Sequence, residues 1–133
     1  MISSPPAGQI SPEIQTVTAW HEALNSGDVD LLVELSHPDV EIGGPRGSGH
    51  GTQLLREWVD RANIHLEPAR TFQESDKVVV EQNAEWQAGS QQTVASVFVV
   101  RGGLVTGVVR YPSLAEALSA SGLDWSHERN TVA

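Results

Sequence analysis

The hydrophobic periodicity of the chain changes once, near Asn63, and this change limits the possible folds more than any other feature. Before Asn63, apolar residues recur every three or four positions, as they do on the buried face of a helix. After it, four long segments either alternate with a period of two or are apolar throughout, which is typical of strands. Helices followed by an uninterrupted run of strands predict an α+β domain with an antiparallel sheet.

Three helices are predicted before the change, and the first two have clear boundaries. Ser11 is a hydroxyl N-cap and Pro12 occupies the first helical position, so the first helix begins there and Gly27 ends it. Asp28 caps a second helix, which continues until Pro38 forbids further helical backbone.

The remaining elements are one short strand, the third helix, four long strands and a last helix. A short strand is predicted at residues 40–42, a glycine-rich loop at 43–51, and a third helix through residues 54–62. Four long strands then form an antiparallel meander, with a hairpin turn at residues 101–103 between the last two. Ser113 opens a capping box and therefore a short C-terminal helix.

The predicted packing is a strongly curved antiparallel sheet wrapped around the three N-terminal helices, a cone with an internal pocket between sheet and helices. The segments 94–100 and 104–109 are apolar on both faces, and the helices are expected to cover only one of them. The simplest cover for the second face is another copy of the chain, because large apolar patches are rarely left in water. We therefore expect a homodimer through the sheet face.

The length of 133 residues corresponds to one domain. Residues 1–10, rich in Ser, Pro and Gly, are expected to form a flexible leader. Residues 11–123 form the single domain, and residues 124–133 form a C-terminal tail.

Charge and composition exclude several classes of function. The chain has 17 acidic and 8 basic residues, a net charge of −9, which disfavours binding to nucleic acid or to an anionic membrane surface. No apolar run approaches the roughly 20 residues of a membrane span, and the N-terminus lacks the pattern of a secretory signal, so we expect a cytoplasmic protein. The absence of Cys and the scattered His residues predict neither a metal site nor a cofactor.

Five short motifs follow one another along these elements: WHEALNSGD at Trp20–Asp28, HPDVE at His37–Glu41, GHG leading into LREW at Gly49–Trp58, VRGG at Val100–Gly103 and YPSLAEAL at Tyr111–Leu118. In this order they resemble the SnoaL-like and ketosteroid-isomerase-like branch of the nuclear-transport-factor-2-like superfamily, over about residues 12–123. The resemblance implies a cystatin-like α+β fold with a conical pocket. It leaves the function open, because such folds serve isomerases, cyclases, dehydratases and non-catalytic domains.

The catalytic residues of ketosteroid isomerase are absent at the matching positions. That chemistry needs an Asp base together with a Tyr and a protonated Asp that stabilise an enolate. The resemblance places Trp20 at the tyrosine, Ile42 at the base, and Ser96 (or Val99 in an ungapped alignment) at the protonated acid. Isomerisation by that mechanism is therefore not expected.

The register implied by the resemblance turns a largely apolar and aromatic set into the pocket, as is usual for small-molecule sites: Trp20, Leu24, Ile42, Trp58, Gln82, Trp86, Ser96, Phe98, Val108 and Arg110. Two interpretations of Arg110 stay open. Its guanidinium either meets a carboxylate or enolate of a ligand, or it pairs with a local acid or reaches solvent from the strand end.

Two weak candidates for a general base lie near the pocket. His50 is in the glycine-rich stretch at the expected mouth, where it either acts on a ligand or faces water. Glu41 adjoins the vacant base position but turns inward only with a one-residue register slip. The hypotheses are a domain that binds a small apolar molecule, with or without an anionic group; an isomerase, cyclase or dehydratase with His50 or Glu41 as base; and a protein-interaction scaffold. Whether the chain is an enzyme stays open.

Overall fold

The computed structural model describes residues 11–44, 47–86 and 89–129, so the predicted leader lies outside the described residues. The helices are α1 (Pro12–Ser26), α2 (Val29–Glu34), α3 (Thr52–Ala62) and α4 (Leu114–Ser121), with a 3₁₀ turn at Trp125–His127. The strands are β1 (Ser36–Gly44), β2 (Gly47–His50), β3 (Ile64–Glu74), β4 (Lys77–Trp86), β5 (Gln91–Arg101), β6 (Leu104–Tyr111) and β7 (Glu128–Arg129). Within these ranges, no helix combines the length and the apolar character that a bilayer crossing requires.

All seven strands belong to one curved, unclosed sheet in the order β2-β1-β6-β5-β4-β3-β7. The antiparallel meander from β3 to β6 is confirmed, and β1 joins it by pairing parallel with β6. The α+β class, the three N-terminal helices and the short C-terminal helix are confirmed as well.

Helix α1 lies against the concave face of the sheet. Its N-terminus is capped as predicted, since the Ser11 hydroxyl accepts a hydrogen bond from the Ile14 amide at 3.1 Å. Gly27 ends the helix with φ of 79°, a conformation that favours glycine. The main core forms where this helix meets the inward side chains of the strands, including Val78, Val80 and Phe98.

Two predicted boundaries are wrong. Helix α2 ends at Glu34 instead of continuing towards Pro38, because the next residue, Leu35, accepts a hydrogen bond from the Val105 amide at 2.8 Å and the chain joins the sheet there. The predicted loop at 43–51 is wrong at its described ends, since Gly43 and Gly44 belong to β1 and Gly47–His50 forms a strand antiparallel to it. A glycine-rich composition suggests a loop, yet here it lets the strand lie close to α3: a β-carbon at Gly49 would come within 2.7 Å of the Leu54 side chain.

The convex face of the sheet is partly covered by α4, which corrects the expectation that the helices cover only one face. Leu114, Ala117 and Leu118 pack on Phe72, Val79 and Ala95, so a second apolar cluster forms there. The sequence pattern of a short amphipathic helix cannot show which face of a sheet it will cover. Val97 packs against this cluster, and Val99 and Val109 are half-buried as well. The homodimer stays a prediction.

Part of the predicted C-terminal tail attaches to the edge of the sheet. Strand β7 pairs with Thr71 and Phe72 of β3. Arg70 donates two hydrogen bonds to the Glu128 carboxylate, at 2.9 and 2.8 Å, and its guanidinium lies 5.3 Å from the centre of the Trp125 ring.

Candidate functional site

A cavity of about 920 Å³ lies between the concave face of the sheet and the N-terminal helices. Nine of the ten predicted pocket residues line it, and Leu24 does not. Two hydrogen bonds between the Asn25 side chain and the Leu66 backbone, at 2.8 and 2.9 Å, hold this end of α1 on β3, and Leu24 packs into the core. The glycine-rich stretch expected at the mouth contributes Gly43, Gly44, Gly47, Ser48 and Gly49. The sequence did not indicate the other lining residues, which are Leu54, Arg61 and Leu66.

Aromatic rings form much of the cavity wall. Trp20 and Trp58 stack with ring centres 6.5 Å apart, and Phe98 meets Trp20 edge to face at 5.3 Å. The Trp20 indole N–H donates to the Ser36 hydroxyl at 3.2 Å, and that hydroxyl donates to the Leu32 carbonyl at 2.8 Å. The one N–H donor of Trp20 is therefore already engaged within the protein.

Arg110 is one of two arginines among the described residues that line the cavity. It stands on β6 directly opposite Ser96 of β5, and both side chains line the cavity. The guanidinium carbon lies 5.8 Å from the centre of the Trp86 ring. Within the described ranges, Arg110 makes neither an ion pair nor a hydrogen bond through its side chain. Burial lowers the pKa of Arg110 from its ordinary value, yet a guanidinium stays charged at neutral pH.

A series of hydrogen bonds joins His21 to Gln82 and Ser96, two residues that line the cavity. His21 Nδ1 lies 2.9 Å from the Val17 carbonyl oxygen, and His21 Nε2 lies 2.8 Å from the Gln82 amide nitrogen. The Ser96 hydroxyl donates to the Gln82 Oε1 atom at 2.8 Å. All three side chains are buried, and burial lowers the pKa of His21 to about 4 from 6.5. The imidazole is therefore neutral at pH 7.

The sequence pattern marked His21 only as a residue on the buried face of α1. Its partners lie far along the chain, on β4 and β5, so the contact depends on how α1 lies across the sheet. The one signal available was the position of His21, which is four residues after Val17 and therefore on the same helical face.

Neither candidate base lines the cavity. Ile42 faces the cavity, and because side chains alternate along a strand, Glu41 lies on the other face, beside Gly107. His50 pairs with Glu41 across the hairpin and is exposed. Among the lining residues in the described ranges there is no Asp, Glu or His. Nor do three such residues come together anywhere in those ranges in a way that could hold a metal ion.

A sequence comparison decides the family. Residues 17–108 match the family model of the SnoaL-like domain. The chain belongs to this family. No curated protein matches this SnoaL-like chain.

Solved structures share the fold at low sequence identity. An NTF2-like protein of unknown function from Cytophaga hutchinsonii superposes with a TM-score of 0.70 at 16% identity, covering 77% of this chain and 90% of its own. TerC, co-crystallised with polyporic acid, superposes with a TM-score of 0.68 at 22% identity, and the match covers 82% of this chain and 99% of TerC. A ketosteroid-isomerase-like protein from Catenulispora acidiphila in complex with trimethylamine gives 0.64 at 23% identity, with 83% and 94% covered. At these identities the likeness establishes the fold.

Proposed function

We propose that this SnoaL-like protein binds a small, largely apolar molecule with an acidic group, and that Arg110 contacts that group. The observation that carries the proposal is the Arg110 side chain, which is half-buried in the cavity wall without an acidic partner in the described part of the chain. A buried cation is costly unless it is paired, and a carboxylate or enolate is the natural partner of a guanidinium.

The charges around the cavity support an anionic ligand. The chain as a whole carries a net charge of −9, yet the described residues lining the cavity include two arginines, Arg61 and Arg110, and no acid. The co-crystal of TerC with polyporic acid shows a relative of the same fold with an organic acid, which supports the same class here. The relative in complex with trimethylamine holds an amine, so charged side chains rather than the fold must select the charge of a ligand.

Aromatic walls account for the apolar part of the ligand. Trp58 and Trp86 are partly exposed rings that line the cavity, and aromatic linings of this kind are usual in sites for apolar ligands. An isomerase, cyclase or dehydratase with His50 or Glu41 as base is the weaker proposal, because both side chains lie outside the cavity. Binding is therefore the function that this geometry supports best.

Two fluorescent probes that differ in one charged group test the proposal. 8-Anilino-1-naphthalenesulfonate is an apolar anion, and N-phenyl-1-naphthylamine has the same rings without the sulfonate. We expect Arg110→Gln to weaken binding of the anion at least about tenfold, the value of one charge-assisted hydrogen bond, and to change binding of the neutral probe less than about twofold.

The matched control is Arg56→Gln, which removes an exposed arginine that pairs with Asp30 outside the cavity. It should leave both affinities at the wild-type value. Equal weakening by the two variants would show that Arg110 acts only through the net charge of the protein. Unchanged binding of the anion in Arg110→Gln would contradict the proposed contact.

A further inference from the structure

The proton positions in the hydrogen-bonded series of His21, Gln82 and Ser96 follow from the backbone carbonyl of Val17. The Val17 carbonyl can only accept, so His21 Nδ1 must carry a proton. The imidazole is neutral, which leaves His21 Nε2 as an acceptor for one N–H of the Gln82 amide. The amide oxygen of Gln82 then faces Ser96, and the Ser96 hydroxyl has to donate its proton to it.

This order leaves two hydrogen-bonding capacities unused at the cavity wall. Gln82 has a second amide N–H, and its nitrogen makes one hydrogen bond, to His21, in the described residues. The Ser96 oxygen has lone pairs but no proton left to give. Both residues line the cavity, and because Gln82 is 0% and Ser96 2% exposed, a ligand would meet them only at its innermost wall. A buried donor without an acceptor is unfavourable, and most such groups in proteins are satisfied.

Arg110 and Ser96 are neighbours across two paired strands. Ser96 and Arg110 are opposite each other on β5 and β6, where β-carbons are about 5 Å apart. A carboxylate held by Arg110 can satisfy the guanidinium but offers no proton to the Ser96 oxygen. A hydroxyl group can satisfy both unused capacities, because it can donate a hydrogen bond to the Ser96 oxygen and accept one from the Gln82 N–H.

We propose that the ligand carries a hydroxyl group next to its acidic group, and that this hydroxyl accepts a hydrogen bond from the Gln82 amide and donates one to the Ser96 oxygen. The inference rests on the proposed function, since Arg110 holds the acidic group. His21 is a positioning residue, because it touches no ligand itself. It holds the Gln82 amide in the orientation that leaves one N–H free to donate to a ligand. The class of ligand is thus an apolar hydroxy acid. A water molecule is the competing occupant of the same place.

Two probes that differ only in one hydroxyl group test the inference by isothermal titration calorimetry. 2-Naphthylglycolate has a hydroxyl on the carbon next to the carboxylate, and 2-naphthylacetate lacks it. We expect wild-type protein to bind the glycolate about tenfold more tightly. Ser96→Ala should reduce this ratio to about one while the affinity for 2-naphthylacetate changes less than twofold. The control Ser119→Ala, on an exposed position of α4, should retain the wild-type ratio.

Nuclear magnetic resonance supplies an independent readout in the unaltered protein. We expect the ¹⁵N spectrum at pH 7 to show His21 with its proton on Nδ1, and one Gln82 side-chain amide proton to shift with the glycolate but not with 2-naphthylacetate. This decides the matter if Ser96→Ala does not fold.

Each outcome separates the two proposals. If neither carboxylate binds, the proposed function fails. If both bind equally to wild-type protein, the acid site stands and the hydroxyl recognition is overturned, with water as the occupant. A preference that persists in Ser96→Ala, or a His21 proton on Nε2, also overturns it.

Discussion

Acid should destabilise this protein in a pH range set by His21. In the folded chain, burial holds the pKa of His21 at about 4, whereas the unfolded value is 6.5. Between these values the unfolded chain binds a proton that the folded chain does not, so the free energy of unfolding decreases as the pH falls. The contribution is fully present above pH 6.5 and is lost by about pH 4.

The size of the loss follows from the shift in pKa. One pKa unit corresponds to about 1.4 kcal/mol, so His21 alone should remove about 3 kcal/mol of stability between pH 7 and pH 4. This is a large part of the 5 to 15 kcal/mol that is roughly typical of a domain. The physical reason is that a charged imidazole at this place would lose water and face the Gln82 amide N–H, which is a donor.

Urea unfolding at half-unit steps from pH 7.5 to pH 4.5 measures this effect. We expect His21→Phe to be less stable at pH 7 but to have a flatter pH profile than wild-type protein. The control His65→Gln removes an exposed imidazole and should retain the wild-type profile. If His21→Phe does not fold, the His21 resonance in wild-type protein gives the pKa directly. A slope unchanged by His21→Phe, or a His21 pKa near 6.5, would refute the reasoning.

Two further predictions concern the rim of the cavity and the convex face. Gly44 lines the cavity, and a β-carbon there would meet nothing within 4 Å. Gly44→Leu should therefore fill part of the cavity and weaken binding of 8-anilino-1-naphthalenesulfonate about fivefold, with an unchanged melting temperature. An affinity equal to that of wild-type protein would contradict this. Val99 is half-buried on the convex face, where the homodimer is expected to form. In analytical ultracentrifugation, wild-type protein should sediment at twice 14.3 kDa and Val99→Asp should sediment as a folded monomer. A monomeric wild-type protein would contradict the expectation.

Much of the fold could be predicted because its signals are local. The N-cap at Ser11, the left-handed glycine at Gly27 and the change of period near Asn63 each act over a few residues, and the structure follows them. The position of α4 and the strand at Gly47–His50 could not be predicted. Each depends on which distant strand offers a partner, and no short segment contains that information.

The same distinction applies to the candidate site. Alternation along β4 and β6 is enough to place Trp86 and Arg110 on the inner face once the register is known. Leu24 was misplaced because the hydrogen bonds of Asn25, not helical spacing alone, set how the end of α1 meets β3. The link between His21 and Gln82 joins a helix to a strand across the core, and only the packed structure shows it.

A crystal structure of the protein with 2-naphthylacetate tests the central proposal most directly. The account predicts the naphthalene rings between the tryptophans of the cavity and a carboxylate oxygen about 3 Å from the Arg110 guanidinium. An empty cavity, or a probe whose carboxylate points to solvent while Arg110 stays unpaired, would contradict it.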